Sequence, residues 1–397
     1  MEHYFTRIPI FRRDNKHWGY RLIMSPSVRR SFIEAYREPG DADALYRLIT
    51  LGSNPRDVGS PFLMMECSED LLTTLIPFLP RNKVIVVYDP EGKEKDVIRS
   101  DVRVIRGMGY DLAALQREGD EPFPSPVNIV VREYNPVYDT EERARLLRIS
   151  QQRRLARKVE TRRDFKGAER AGYWYMEGMF FLEKDWDSAK DDMVSFAATF
   201  FRVVGELRRS EPSFKVLTDT ISRDVNLTYK LLKFVNSAYY APRFPVKTVA
   251  QAITTLGLRA LNLFLSSVAL DILRMPDNTE IIRASLIRAK FMELLTEVWG
   301  FKNMGPDAYF VGMFSLLDVL LNRPMKDIMQ ELPLSGDVQE ALVNRAGPLG
   351  EILEFTRAYE RGDWQGVLAI RDLAPAVQDA VKDVYISALK WGSAFEE

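Results

Sequence analysis

Apolar residues fall in two rhythms along the chain. From residue 18 to about 182 they come in short β-type runs: HWGYRLIM, PFLMMEC, KVIVVYD, YDLAALQ, VNIVVREY, RRLARKV and YWYMEGMFF. Between several of these the spacing predicts helices over 27–37, 41–51, 68–76, 94–107 and 140–150, and 161–171 precedes the last strand. Strands alternating with helices point to parallel strands joined by crossover helices, in a closed barrel or an open doubly wound sheet. A full eightfold barrel takes about 250 residues, so a barrel here is expected to be trimmed.

After residue 186 the rhythm becomes helical and stays so. Thr228, Leu231, Leu232, Val235, Ala238 and Tyr239 share one helical face. Thr248 with Gln251 three residues later forms a capping box, and Gly257 is placed to end that helix before LRALNLFLSSVALDIL begins the next. Further helices are predicted over 280–299, 306–322, 336–345, 349–360 and 375–392. The pattern therefore divides the chain into an α/β domain, 1–186, and an all-α domain, 187–397, joined near EKDWDSAKDD.

Composition narrows the chemistry. With 46% hydrophobic and 28% charged residues among 397, the chain reads as folded globular protein with material for more than one core. A net charge of -1 gives no overall attraction to nucleic acid or anionic membrane. The single cysteine excludes an intrachain disulfide and cysteine-rich zinc modules. There are two histidines, His3 and His17, so everything after residue 17 works without imidazole. That excludes histidine-ligated zinc and Ser-His-Asp chemistry from the second half. No apolar run approaches about 18 residues, and the opening MEHYFTRIPIFRRD is unlike a signal peptide. The cytoplasm is the expected compartment.

In α/β folds chemistry gathers at the C-terminal ends of the strands. Glu66, Asp89, Gln116, Arg132, Glu133, Arg157 and Glu160 fall there. Acids at one end could hold two metal ions about 4 Å apart. Arg21, Arg132 and Arg157 are expected to share that end, and guanidinium groups repel a dication from a low-dielectric pocket. The same groups match phosphate oxygens in charge and shape; internal Arg-Glu pairing without a ligand is the plainer alternative. The candidate ligand-binding set is therefore Arg21, Glu66, Arg132, Arg157 and Glu160, with no metal and no cofactor. The stretch 143–166 carries ten Lys and Arg, a density that can bind nucleic acid by counterion release. It lacks interleaved aromatics, so a solvated face is the preferred reading. AQAITTLGLRALNLFL resembles a helix-turn-helix but offers only Arg259 and Asn262 at the start of its second helix, too little for base reading. In GMFSLLDVLLNRP, Ser315, Asp318 and Asn322 are expected to form a thin polar stripe on one packed helix.

RIPIFRRDNKHWGYRLIM resembles the opening of EAL domains, the fold of cyclic di-GMP phosphodiesterases, and LARKVETRRDFKGAERAGYWYMEGMFF resembles their end. ISRDVNLTYKLLKFVNSAYY and FPVKTVAQAITTLGLRALNLFLSSVAL are similar to the HDOD domain, a relative of His-Asp phosphohydrolases. The order matches a bacterial signalling architecture over nearly the whole chain. It implies a degenerate, trimmed (β/α) barrel of EAL type followed by an all-helical HDOD domain. Where active EAL domains have their motif glutamate, this chain has Arg21. Their asparagine ligand falls on Glu66, the next acid falls in KVIVV, which has none, and the paired aspartates fall on Leu115 and Gln116. Val131 stands near the lysine position, Arg157 at a later glutamate and Glu177 at the terminal glutamine, while Glu160 is retained. In the helical half the His-Asp step falls on Ser315 and Leu316.

The departures imply a catalytically inactive protein rather than an enzyme. It is expected to be an interaction scaffold for other signalling proteins in cyclic di-GMP, motility or surface-behaviour networks. The alternative is a non-hydrolysing receptor for cyclic di-GMP or another phosphate ligand through Arg21, Arg132 and Arg157. Nucleic acid and membrane insertion are not expected, and a homo-oligomer is left open.

Overall fold

The computed structural model describes residues 5–24, 62–66, 76–79, 81–117, 123, 127–137, 139, 153–183, 203, 206–207, 211–223, 225–236, 245–272, 279–301, 303–320, 322–331, 334–371 and 375–393. The helices expected over 27–37, 41–51 and 140–150, nearly all of 68–76, and residues 238–239 lie outside them. The chain forms two compact units. One combines Met1–Glu183 with Leu286–Gly312 and Glu351–Glu397, and the other combines Lys184–Ser285 with Met313–Gly350.

Eight strands close into a barrel in chain order: β1 (Phe5–Arg12), β2 (His17–Met24), β3 (Phe62–Glu66), β4 (Val84–Tyr88), β5 (Asp111–Leu115), β6 (Ile129–Glu133), β7 (Arg153–Arg157) and β8 (Tyr175–Glu177). β1 runs antiparallel to both β2 and β8, and the remaining neighbours pair in parallel. The open sheet is thus ruled out. The closing strand, β1, is one that the apolar rhythm did not mark, because Pro9 and two arginines interrupt it. A proline inside a strand costs a ladder hydrogen bond. Here β8 pairs only with Ile10–Arg12, so Pro9 has none to lose on that side.

Cross-strand partners share a face, which fixes what points inward. Ile10, Met64, Ile85, Val87, Ala113, Ile129, Val131, Leu155 and Tyr175 fill the barrel together with Trp18. The Trp18 ring stacks between Tyr175 and Phe62, with centroids 4.1 and 5.0 Å away, and closes the end where the parallel strands begin. Outward-facing residues are buried too: β4 is buried along its whole length, as expected of a strand covered on both sides. Helix α1 (Lys95–Gly107) supplies Ile98, Val102 and Ile105 at helical spacing and packs on β5. Helix α2 (Arg162–Arg170) starts at a capping box, the Asp164 N–H donating to Thr161 Oγ1 and the Thr161 N–H to Asp164 Oδ2.

The helices that follow are α3 (Phe214–Ser222), α4 (Val225–Val235), α5 (Val249–Ile272), α6 (Thr279–Val298), α7 (Gly305–Phe314), α8 (Leu317–Leu320), α9 (Met325–Glu331), α10 (Gly336–Val343), α11 (Gly347–Arg361), α12 (Trp364–Ile370) and α13 (Pro375–Ser393). Gly257, with φ 68°, breaks α5 where the sequence placed a helix end. The helix expected over 306–322 is in fact two. Ser315 and Leu316 form the turn between α7 and α8, and Asn322, at φ 49°, lies past the end of α8. Ser315, Asp318 and Asn322 therefore do not line one helical stripe, and the Asp318 carboxylate accepts the Val319 N–H at 3.0 Å in the first turn of α8. Among the described residues no helix is long and apolar enough to cross a membrane.

Within the barrel's unit, Phe291 on α6, Tyr359 on α11 and Tyr385 on α13 pack ring against ring, with centroids 4.9–5.1 Å apart. Gly312 lets α7 approach α6 closely: a Cβ there would lie 2.5 Å from Ala289 Cα. Gly312→Ala should therefore destabilise the protein by about 1–3 kcal/mol. Gly107→Ala, in open space on α1, should be neutral or slightly stabilising. Thermal unfolding of the two variants side by side checks this.

Candidate functional site

The parallel strands deliver their last inward-facing residues to one end of the barrel. Strand register puts Arg21 of β2, Glu66 of β3, Arg157 of β7 and Glu177 of β8 on the inner face there. Arg21 meets Glu177 as a two-pronged pair, Nε to Oε2 at 2.7 Å and Nη2 to Oε1 at 2.8 Å, and its Nη1 donates to Glu66 Oε1 at 3.2 Å. The side chains of Arg21 and Glu177 are 7% and 2% exposed. Burial works against the Arg21 charge, but the charges and hydrogen bonds of Glu177 and then Glu66 outweigh it, so the guanidinium pKa is raised.

Arg157 completes the group without closing it. Its Nη1 is 3.6 Å from Glu66 Oε1 and its Nε 3.8 Å from Glu177 Oε1, within ion-pair range but outside hydrogen-bond range. Its Nε is buried and, among the described residues, has no hydrogen-bond partner. A buried charged donor left in that state costs free energy that an arriving anionic acceptor would recover.

Around this quartet, Asp89 is held by Arg117 through two bonds of 2.7 Å. The Arg117 hydrogen bonds, with Arg157 contributing, keep its carboxyl below the usual range. Glu133 pairs with Lys158 at 2.9 Å in solvent. Glu160 follows β7, and its pKa is raised, first by burial and then by the Glu177 and Asp164 charges, against the opposing pull of Arg361 4.0 Å away.

Not every expected site residue joins. Arg132 is paired in register with Ala156 and faces outward, opposite to Arg157, and its charge acts on the Tyr173 phenol. The expectation that three arginines share the mouth is corrected to two. The solvated basic face holds in part over its described residues: Arg153, Lys158, Arg163 and Lys166 are exposed, whereas three others are engaged. Arg154 is buried and donates to the Ala171 carbonyl at 3.0 Å, Arg157 is at the mouth, and Arg162 bonds Glu183. Two participants were missed. Glu177 was read only as a motif departure, although its two-residue spacing from inward-facing Tyr175 placed it inside. Arg361 gave no signal, being far away in sequence.

The EAL resemblance implies a pair of divalent ions at this end. The residues present do not fit them, because Glu66 and Glu177 already face two guanidinium groups, whose charge would oppose a dication in the same buried space. Among the described residues no group of three or more His, Cys, Asp or Glu could hold a metal ion.

Comparison with known proteins places this geometry in context. The sequence matches the HDOD domain over residues 193–340. It is 31% identical to "Cyclic di-GMP phosphodiesterase CdgJ" of Vibrio cholerae over 381 residues, covering 92% of this chain and 86% of that one. It is 28% identical to "Uncharacterized protein YuxH" of Bacillus subtilis over 98% of both chains. Among solved structures, the EAL domain of Mycobacterium smegmatis DcpA aligns with 44% of this chain and 89% of its own, at 14% identity and a TM-score of 0.34. The match to a protein named as a phosphodiesterase overturns the expectation of a catalytically inactive scaffold, and with it the non-hydrolysing alternative. The physical reason is that counting lost motif acids ignores what remains. Glu66 and Glu177 still stand at the mouth beside two guanidinium groups, and Glu160, after β7, faces Arg361.

Removing Arg21 alone would strand the Glu177 charge in a buried site. Arg21→Ala should cost about 3–5 kcal/mol of stability, and adding Glu177→Gln should restore part of it. Denaturant unfolding of the single and double variants measures both effects.

Proposed function

We propose, for a chain that belongs to the EAL–HDOD family of signalling proteins, that the barrel mouth takes cyclic di-GMP and cleaves one of its phosphodiester bonds. The observation that carries this reading is Arg157, whose buried Nε has no hydrogen-bond partner among the described residues and sits beside two carboxylates. An arginine in that state is a receptor for a phosphate oxygen, since its planar fork and fixed charge match that group. It also suits the extra negative charge that builds up when water adds to phosphorus and a P–O ester bond breaks. Glu160, with its raised pKa, is the described mouth carboxylate suited to taking the proton of the attacking water. The relative named as a cyclic di-GMP phosphodiesterase, matched over most of both chains, supports the choice of ligand and reaction. We take residues 1–186 as the catalytic barrel domain and 187–397 as the helical domain, and the cytoplasm as their compartment.

The test is product formation by the purified full chain from cyclic di-GMP, followed by chromatography of the linear dinucleotide. Arg157→Ala should lower kcat/KM by about 10²-fold or more. A wild type that shows neither binding nor product would overturn the proposal.

A second readout is pH. A base must be deprotonated to work, so turnover should fall as pH drops through the Glu160 pKa. Burial sets that limb above the position of an ordinary glutamate. Glu160→Gln should abolish the limb together with most of the activity, as seen in rate profiles across acidic to neutral pH.

A further inference from the structure

A corner of the C-terminal helices is seated on the rim of the mouth, within the same compact unit as the barrel. Thr6 and Ile23 are register partners that point inward, beyond the Ile8–Arg21 pair toward the open end. The Thr6 hydroxyl donates to the Glu360 carbonyl at 3.3 Å and lies 3.2 Å from the Tyr385 hydroxyl. Gly362, at φ 69°, turns the chain between α11 and α12 directly over them: a Cβ there would lie 3.1 Å from Ile23 Cδ1 and 3.5 Å from Thr6 Cγ2. The corner is held from behind by the buried Arg288, whose Nη2 is 2.6 Å from Glu360 Oε2, and by the Tyr359 ring. These neighbours of Arg361 are committed to packing. Its own side chain is not.

Arg361 is 48% exposed and, among the described residues, reaches only Glu160, Nε to Oε2 at 4.0 Å, too long for a hydrogen bond. Among the described residues it makes no hydrogen bond that would occupy its five N–H groups. Glu160 follows β7 at the same barrel end as the quartet, and the corner that carries Arg361 sits on Thr6 and Ile23, which lie beyond Arg21. A cyclic dinucleotide carries two phosphodiesters, and Arg157 accounts for one.

We propose that Arg361 is a further binding residue of the barrel mouth: carried by the rigid α11–α12 corner, it receives the second phosphate of the cyclic dinucleotide. This rests on the reading of the mouth as a cyclic di-GMP site. It adds that a residue 184 positions beyond the end of the barrel's last strand (361 against 177) belongs to the binding surface.

The experiment is titration of the full chain with cyclic di-GMP and, in parallel, with 5′-GMP, which has a single phosphate. The proteins are wild type, Arg361→Ala, Arg361→Lys and Arg157→Ala, with Arg99→Ala as an exposed control on α1, and the thermal midpoint of each is recorded. Arg361→Ala should raise the Kd for cyclic di-GMP about tenfold with an unchanged midpoint, leave the Kd for 5′-GMP within twofold, and be partly rescued by Arg361→Lys. Unchanged cyclic di-GMP affinity in Arg361→Ala, with affinity lost in Arg157→Ala, overturns the Arg361 assignment and leaves the mouth assignment standing. Equal losses for both ligands with a lowered midpoint also overturn it, showing that Arg361 only supports the fold. A wild type that binds no cyclic di-GMP removes both.

Discussion

Arg21 on β2 and Glu177 on β8 meet across β1, the strand that closes the barrel. β1 is the sole antiparallel strand in the ring, carries a proline, and is paired with β8 over only three residues. The two-pronged ion pair joins its neighbours over its inward face and supports the closure where the ladder is short. Two charges taken from water repay the cost only when geometry is good and the remaining lone pairs are used. Here Glu66 supplies the third acceptor, and the group excludes solvent from the end of the apolar core formed by Val87, Val131 and Leu155.

The same interaction decides what kind of ligand the mouth favours. A barrel end lined by acids alone attracts cations, whereas one in which each acid faces a guanidinium is close to neutral and offers directed N–H donors. Arg157 lies within ion-pair range of both carboxylates without hydrogen-bonding to either, so it keeps donor capacity that Arg21 has spent. Electrostatics and closure therefore share one cluster of side chains. The corner bearing Arg361 adds positive charge beside Glu160, which follows β7.

Much of this was legible in the sequence. Seven of the strands announced themselves as short β-type apolar runs, Gly257 marked a helix break, and Thr248 with Gln251 marked a helix start. β1 was not legible, because Pro9 lowers strand propensity and only tertiary pairing shows that no hydrogen bond is lost. The break at Ser315–Leu316 was hidden by an apolar pattern that continues across it. Arg132 and Arg157 looked equivalent as strand-end arginines. Strand register puts one outside and the other inside.

By itself the sequence determined the two rhythms, hence a barrel-type half and a helical half. By count it also removed imidazole from everything after residue 17 and excluded an intrachain disulfide, and it set arginines where carboxylates would be expected. These are local or compositional properties, fixed by residue type and spacing. The tertiary structure alone decided that the barrel closes, that Arg21 and Glu177 meet 156 positions apart, and that Arg361 stands at the mouth. Distance in space between residues far apart in sequence is set by packing and register, and periodicity carries no information about either.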